Sequence, residues 1–347
     1  MPSEPLPMAW GGPPARALVR SAAEDFQVDE ELGFAPDGQG QHLLLRIRKR
    51  DTNSEWLARQ LARVAGVAPR SVGFAGLKDR RAVTTQWFSI DLAGEAGPDW
   101  SELESEQISI LQVARHRRKL RRGSLAGNRF SLVLRRVEGD RGALEQRLRR
   151  IATEGVPNYF GPQRFGRGGE NLRRAAALFR GELRGAGRHR RGLYISAARS
   201  LLFNRVLAAR VEQGSWREAL EGEALLLAGT RSFFVADRLD DAIRRRVAEG
   251  DLLPSAPLWG EGDSPARGSA AALEREALEG YPEWCRGLEL AGLRQERRAL
   301  CLRPERLAWE WLDEGSLRLD FFLPAGGYAT VLIRELVEPG LESSAGW

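Results

Sequence analysis

The chain has 347 residues, of which 42% are hydrophobic and 29% charged, as in ordinary soluble globular proteins. Its length predicts two domains. A chain of this length buries enough surface to fold without disulfides or a metal. No apolar run approaches the roughly 20 residues of a membrane span, and the N-terminus lacks the pattern of a signal peptide. We therefore predict a cytoplasmic protein that has no membrane partner.

The first part of the chain is predicted to be mostly strands. Residues 42–49 alternate in polarity, which predicts a strand with one wetter face. The spacing of Thr52 and Glu55 is that of a capping box at the start of a helix. The predicted strands are 25–28, 42–49, 72–74, 82–90, 108–113 and 129–137, and a further helix is predicted at 143–152.

The middle of the chain has a different texture and predicts helices. Strand-like sequence returns near the end, before a short helix at 328–336. Strands on both sides of a helical middle predict an α+β fold, in which a helix-rich domain is inserted into a mixed α/β core. The predicted middle helices are 170–179, 196–211, 237–249 and 270–278, and the later strands are 300–302, 306–311 and 317–323.

The sequence excludes several common classes of enzyme. Its two cysteines and three histidines match no zinc-site spacing. It contains no G-x-x-x-x-G-K-[ST] loop, no G-x-G-x-x-G and no G-x-S-x-G. We therefore expect carboxylate chemistry with no cofactor and no metal.

Positive charge points to a polyanionic partner. The net charge is +6 and the pI about 9.8. Residues 115–122 include six Lys or Arg and no acid, and a second basic cluster comprises Arg184 and 188–191. Such runs suit an RNA backbone, and the alternative for each is a solvated basic loop.

The most informative segment is G-F-A-G-L-K-D-R-R-A-V-T-T-Q at 73–86. Gly73 and Gly76 predict a tight turn. Asp79 follows, bracketed by Lys78 and Arg80, and neighbouring cations favour an ionised carboxylate that can act as a nucleophile. The alternative is a loop aspartate that caps a turn or pairs with an arginine.

This segment closely resembles the catalytic motif of the TruD family of pseudouridine synthases. Four further segments resemble that family in the same order along the chain. They are E-D-F-Q-V-D-E at 24–30, G-N-R-F at 127–130, P-N-Y-F-G-P-Q-R-F-G at 157–166, and A-G-G-Y-A-T at 325–330 followed by R-E-L at 334–336. Five ordered matches make the resemblance specific.

The resemblance implies a function and a set of site residues. Asp79 matches the catalytic aspartate, Phe26 an active-site aromatic residue and Asn128 a residue that contacts the substrate. Tyr328 stands where bacterial members carry Phe, which keeps the ring and adds a hydroxyl. Lys78 and Arg80, beside Asp79, complete the predicted substrate contacts. The implied substrate is uridine 13 of certain transfer RNAs, without an obligate protein partner.

The resemblance also implies the family's fold, a pseudouridine-synthase core with an inserted family-specific domain. The implied catalytic domain comprises 1–156 and 304–347, and the inserted domain comprises 157–303.

The implied reaction agrees with the residue chemistry. Pseudouridine forms when the base is detached from ribose at nitrogen and reattached through carbon 5, so no atom enters or leaves. The carboxylate can add to the base, attack the anomeric carbon or help to remove a ribose proton, and all three routes stay open. The target must leave its stack, and rings such as those of Phe26 and Tyr328 suit a flipped base.

Two other functions are alternatives to this one. A non-catalytic protein that binds structured RNA would use the basic runs and leave Asp79 a structural role. A metal-dependent nuclease would need several converging carboxylates, of which the segment around Asp79 supplies one.

Overall fold

The computed structural model describes residues 5–121, 123–183 and 185–340. The first part of the chain forms strands that are interrupted by two helices. They are β1 (Ala15–Val19), β2 (Phe26–Leu32), β3 (His42–Arg50), α1 (Ser54–Val64), β4 (Val72–Phe74), β5 (Val83–Asp91), β6 (Ile108–His116), β7 (Leu125–Gly139) and α2 (Arg141–Glu154).

The middle of the chain contains five helices and short strands within the described residues. They are β8 (Val156–Pro157), α3 (Glu170–Phe179), α4 (Arg188–Glu212), β9 (Glu223–Leu227), β10 (Phe233–Ala236), α5 (Asp241–Glu249), β11 (Leu252–Leu253), β12 (Ser255–Leu258), α6 (Gly268–Leu278), α7 (Pro282–Leu290), β13 (Glu296–Ala299) and β14 (Cys301–Leu302). The chain then continues through β15 (Glu305–Asp313), β16 (Ser316–Pro324), α8 (Ala329–Ile333) and β17 (Val337–Pro339).

A ten-stranded mixed sheet takes its strands from both ends of the chain. Its main order is β15-β16-β7-β2-β5-β3-β6, with β4 beside β5, and β1 beside β7 and β17. The smaller sheets β10-β9-β11, β12-β13 and β14-β8 use strands from the middle. The α+β class predicted from the sequence is confirmed, whereas the division into two domains stays a prediction.

The start of β3 is buried on both faces of the sheet. Leu43, Leu45 and Ile47 pack in one cluster with α1, as the alternating pattern requires. Leu44, on the opposite face, is fully buried against Trp87 and Leu120. The wetter face predicted for this strand is therefore confined to its second half, where Arg48 is exposed.

Helix α1 begins one residue later than the capping box indicates. Asn53 is the N-cap, and its side-chain oxygen accepts hydrogen bonds from the backbone N–H groups of Glu55 and Trp56. The Thr52 hydroxyl instead donates to the Arg50 carbonyl at 2.6 Å. The predicted capping box was wrong, because an asparagine side chain caps this helix start.

Helix α4 begins at Arg188, eight residues before the start predicted from its apolar pattern. The second basic cluster therefore forms the first turn of a helix, and its other member, Arg184, lies outside the described residues. Among the helices that the structure describes, none is long and apolar enough to cross a membrane.

Candidate active site

Residues 75–82 form the loop between β4 and β5, and buried hydrogen bonds fix it. The Gln86 side-chain amide donates to the Gly76 carbonyl at 2.5 Å. The Ser54 hydroxyl donates to Gln86 at 2.7 Å and accepts the backbone N–H of Lys78 at 3.2 Å. The loop is thus attached to the first turn of α1 and to β5.

Gly76 lies at a bend of the loop, and neither glycine of this segment has a positive φ. Gly73 lies in β4, where an added Cβ would come within 2.5 Å of the Leu120 carbonyl oxygen. Gly73 therefore permits a close approach of two backbones, and the predicted turn residue was wrong at this position. An added Cβ at Gly76 would meet no atom within 4 Å.

Asp79 presents a carboxylate that is open to solvent and held by one arginine. Its side chain is 53% exposed, and its Oδ2 accepts a hydrogen bond from Nη2 of Arg20 at 2.8 Å. Arg20 follows β1 with a φ of +62°, an uncommon backbone conformation for a residue with a side chain. Sequence reasoning missed Arg20, although it contacts Asp79 directly.

Phe26 lies beneath Arg20. The Arg20 guanidinium carbon is 3.7 Å from the centre of the Phe26 ring, and that ring packs edge-on against Phe130. Phe26 is 2% exposed. The guanidinium covers one face of the ring, so Phe26 supports Arg20, and its predicted role as an active-site ring stays a prediction.

A buried ion pair lies on the other side of the Asp79 loop. Nζ of Lys78 is 2.5 Å from Oε2 of Glu30, and both side chains are at most 8% exposed. Glu30 Oε1 also accepts the backbone N–H of Trp87 at 3.4 Å. Lys78 was predicted to contact substrate, but its ammonium group points into the sheet.

Lys49 adds a second buried cation beside this pair. Its Nζ donates to the Thr52 carbonyl at 2.7 Å, and the residue is 1% exposed. Burial, together with the positive charge of Lys78, lowers the pKa of Lys49 to about 8. The negative charges of Asp79 and Glu30 oppose that shift.

Arg80 remains exposed, and its Nε donates to the Asp51 carbonyl at 3.4 Å. Its predicted contact with substrate stays a prediction.

Asn128 lies in the middle of the sheet, directly opposite Glu30 on β2 and Leu323 on β16. Its side-chain oxygen is buried and has no hydrogen-bond partner within the described part of the chain. An added Cβ at the preceding Gly127 would lie 2.2 Å from the Leu323 carbonyl oxygen, so this position requires glycine. Asn128 therefore offers an acceptor to a polar ligand.

Tyr328 precedes α8, in the segment that follows β16. Its hydroxyl accepts a hydrogen bond from Nη2 of Arg164 at 2.6 Å. Its ring meets the Phe160 ring edge-on, with 6.1 Å between their centres. The structure thus joins two of the predicted motifs, and Arg164 is a contact that the sequence reasoning missed.

The family model described as "tRNA pseudouridine synthase D (TruD)" matches residues 8–189 and 170–336. The chain belongs to the TruD family. The five segments that carried the resemblance all lie within the matched residues.

Curated TruD-family proteins are similar over nearly the whole chain. The tRNA pseudouridine synthase D of Methylococcus capsulatus is 53% identical over 333 residues, covering 96% of this chain and 94% of that protein. The protein of the same name from Nitrosococcus oceani is 53% identical over 334 residues, covering 95% and 93%. A crystal structure of the putative tRNA pseudouridine synthase D (TruD) from Methanosarcina mazei matches with a TM-score of 0.72 at 21% identity, covering 97% of each chain, and it supports the fold.

The basic run of this TruD-family chain is only partly an open loop. Arg115 and His116 belong to β6, and His116 is 2.9 Å from Asp37. Lys119 donates to the Arg70 carbonyl, so its ammonium group is not free in solvent. Arg117, Arg118 and Arg121 are exposed, whereas Arg122 lies outside the described residues. Two of the six cations, Arg115 and Lys119, therefore donate to backbone carbonyls, and the solvated-loop alternative does not describe them.

The exposed cations nevertheless lie close to the Asp79 loop. The backbone N–H of Gly123 donates to the Ala75 carbonyl at 3.0 Å, which attaches the basic loop to the start of the Asp79 loop. The Phe34 ring stacks on the His116 ring, with 4.7 Å between their centres, and both rings line a pocket together with the exposed arginines.

The described residues contain no group of three or more His, Cys, Asp or Glu side chains that could hold a metal ion. They therefore lack the converging carboxylates that the nuclease alternative requires.

Proposed function

We propose that this TruD-family chain isomerises uridine to pseudouridine in transfer RNA, at position 13, with Asp79 as the catalytic carboxylate. The observation that carries the assignment of the residue is the exposed Asp79 carboxylate, held at 2.8 Å by Arg20 in a loop fixed by buried hydrogen bonds. The proposal includes a cytoplasmic location, no obligate protein partner and no cofactor.

The proposed reaction uses only groups of the chain and the substrate. The bond between ribose and the uracil nitrogen breaks, the base turns, and carbon 5 joins the anomeric carbon. Carbon 5 then loses its proton and the freed nitrogen gains one, so the product is an isomer of the substrate. Arg20 orients the Asp79 carboxylate toward solvent, where the flipped nucleotide enters. The buried Asn128 oxygen is placed to accept a hydrogen bond from the base.

We also propose two domains, because the large sheet and the small sheets use different parts of the chain. Strands of the ten-stranded sheet fall within 15–139 and 305–339, and the smaller sheets use residues between 156 and 302. This supports a catalytic domain of 1–156 and 304–347 and an inserted domain of 157–303.

Mass spectrometry of transfer RNA from cells with and without the gene tests the function. Pseudouridine at position 13 should be lost without the gene and return when the gene is restored. An unchanged pseudouridine content, together with retained RNA binding by the pure protein, would favour the non-catalytic RNA-binding alternative.

Tyr328 should act mainly through its ring. Tyr328→Ala removes a possible stacking surface and should lower kcat/KM by roughly tenfold or more, since a stacked base contributes about 1–3 kcal/mol. Tyr328→Phe keeps the ring and loses one hydrogen bond from Arg164, so a smaller effect is expected. Single-turnover kinetics of both variants check this, and equal damage by Phe and Ala would assign the main role to the hydroxyl.

The basic loop should bind RNA backbone without reading sequence. Replacing Arg117, Arg118 and Arg121 by Gln removes three exposed cations, so the log–log salt slope of affinity should fall by up to about 3. The rate at saturating RNA should stay near that of the unmodified protein. Affinity is measured at several salt concentrations, with Lys119→Gln as a control that removes a cation already bound to a carbonyl. An unchanged slope would make the run a solvated loop.

A further inference from the structure

Two arginines from the middle of the chain converge beside Tyr328. The guanidinium carbon of Arg298 is 4.2 Å from the centre of the Phe160 ring, and that of Arg164 is 5.5 Å from the same centre. Arg164 also donates to the Tyr328 hydroxyl. The Phe160 ring and the Tyr328 hydroxyl thus hold two positive charges close together, at the edge of the proposed base pocket.

Neither charge has a carboxylate partner within the described residues. Arg298 donates to the carbonyl and side-chain oxygens of Asn158 and to the Gly326 carbonyl. Arg164 donates to Ser196 and Tyr328, and its Nε is buried without a partner in the described chain. Both cations are therefore solvated only by neutral groups.

Other arginines in the middle of the chain have acid partners. Arg199, Arg210 and Arg297 each pair with a glutamate at 2.9 Å or less. Because an unpaired charge in a partly buried place is costly, the absence of acids around Arg164 and Arg298 is informative. Burial lowers the pKa of Arg298 to about 10, and the charge of Arg164 acts in the same direction.

An anion can reach this pair from solvent. The hydrogen bond from Arg298 to the Gly326 carbonyl lies at the surface, in an exposed turn that follows β16. The Thr330 hydroxyl, close to Gly161 beside this turn, is a further polar group without a partner in the described residues.

The turn that accepts a hydrogen bond from Arg298 follows β16, a strand of the same ten-stranded sheet that carries the Asp79 loop. The end of β16 adjoins Asn128 on β7, and β7 adjoins Glu30 on β2, which holds Lys78. Two strand spacings, about 10 Å, separate β16 from β2. A single flipped nucleotide and its flanking phosphate can span such a distance.

We propose that Arg164 and Arg298 together bind a backbone phosphate of the substrate RNA next to the flipped uridine. This inference rests on the proposed function. A phosphodiester supplies the negative charge that the protein does not, and planar guanidinium groups match its oxygens well. Through this contact, the middle of the chain would position the nucleotide over a carboxylate carried by the sheet.

The test combines protein variants with neutral phosphates. Synthetic RNA substrates carry one methylphosphonate at each phosphate flanking the target uridine, and affinity is measured with the unmodified protein and with Arg298→Gln and Arg164→Gln. At one position, methylphosphonate should weaken binding to the unmodified protein by about tenfold, the scale of a charge-assisted hydrogen bond, and should weaken binding to either variant much less.

Two further variants keep the result interpretable. Arg298→Lys retains the charge and should recover part of the lost affinity, which a purely structural role would not give. Arg199→Gln removes a largely buried arginine that already has an acid partner, and it should keep the full methylphosphonate effect. Variants are compared only after circular dichroism shows native folding; if neither Gln variant folds, Arg298→Lys against the unmodified protein supplies the comparison.

Equal methylphosphonate effects in the unmodified protein and the Gln variants, or none at any flanking position, would overturn the inference. Because the readout is binding, it is separate from turnover. If the protein forms pseudouridine but the Gln variants keep the methylphosphonate effect, only the phosphate contact is refuted. If the Gln variants lose that effect but the protein forms no pseudouridine, only the proposed reaction is refuted.

Discussion

Replacing Asp79 by Asn should abolish pseudouridine formation, with a rate loss on the order of 10⁴-fold or more, as is typical when a nucleophile is removed. Asn keeps the shape of the side chain and its proximity to Arg20, but it lacks the nucleophilic charge. The measurement is single-turnover conversion of transfer RNA, followed by mass spectrometry of the product.

Asp51→Asn is the matched control for this variant. Asp51 is another exposed acid beside the loop, with a side chain 48% exposed, and its replacement should leave turnover near normal. RNA affinity should change little in either variant, since one carboxylate contributes little beside many basic contacts. Asp79→Asn turnover within tenfold of the unmodified protein would falsify the assignment of Asp79.

Glu30→Gln should destabilise the fold by about 3–5 kcal/mol, because it leaves the buried ammonium of Lys78 without its counter-charge. The same change should lower the rate at saturating RNA, since Lys78 precedes Asp79 in the loop. The free energy of unfolding from denaturant titration and the single-turnover rate are measured together. Glu338→Gln, which breaks the exposed pair with Arg16, should change stability by no more than about 1 kcal/mol.

The double variant Glu30→Gln with Lys78→Met separates charge from packing. Removing both partners should restore part of the lost stability, because the Lys78 ammonium is no longer left unpaired and no longer lies beside the buried Lys49. If Glu30→Gln alone is as stable as the unmodified protein, the ion pair does not hold the loop.

The sequence predicted the local structure better than the side-chain partners. Residues 170–179 form the predicted helix α3 with the predicted bounds, because that segment has a clear apolar stripe. Strand β1 was missed, since five residues with two neighbours far along the chain carry little local signal. Its pairing with β17 is a tertiary effect that local periodicity does not encode.

The candidate site shows the same limit. Asp79, Phe26, Asn128 and Tyr328 could be identified from motifs, and their roles stay proposals. Arg20 could not be identified, because it is one arginine among many and its contact with Asp79 spans 59 positions in sequence. Its signal is the backbone, since a residue with φ +62° at the end of a strand points to a tertiary constraint.

The pairing of β1 with β17, and of β7 with β16, has a consequence for biosynthesis. A nascent chain that has emerged as far as residue 303 already carries Asp79, Arg20 and Asn128, but it has neither β16 nor Tyr328. Until these late strands arrive, β7 presents an unpaired edge, which is a ready template for misassociation. The strands that complete the ten-stranded sheet are therefore synthesised last. Premature termination after the middle segment should yield an aggregation-prone protein that lacks them.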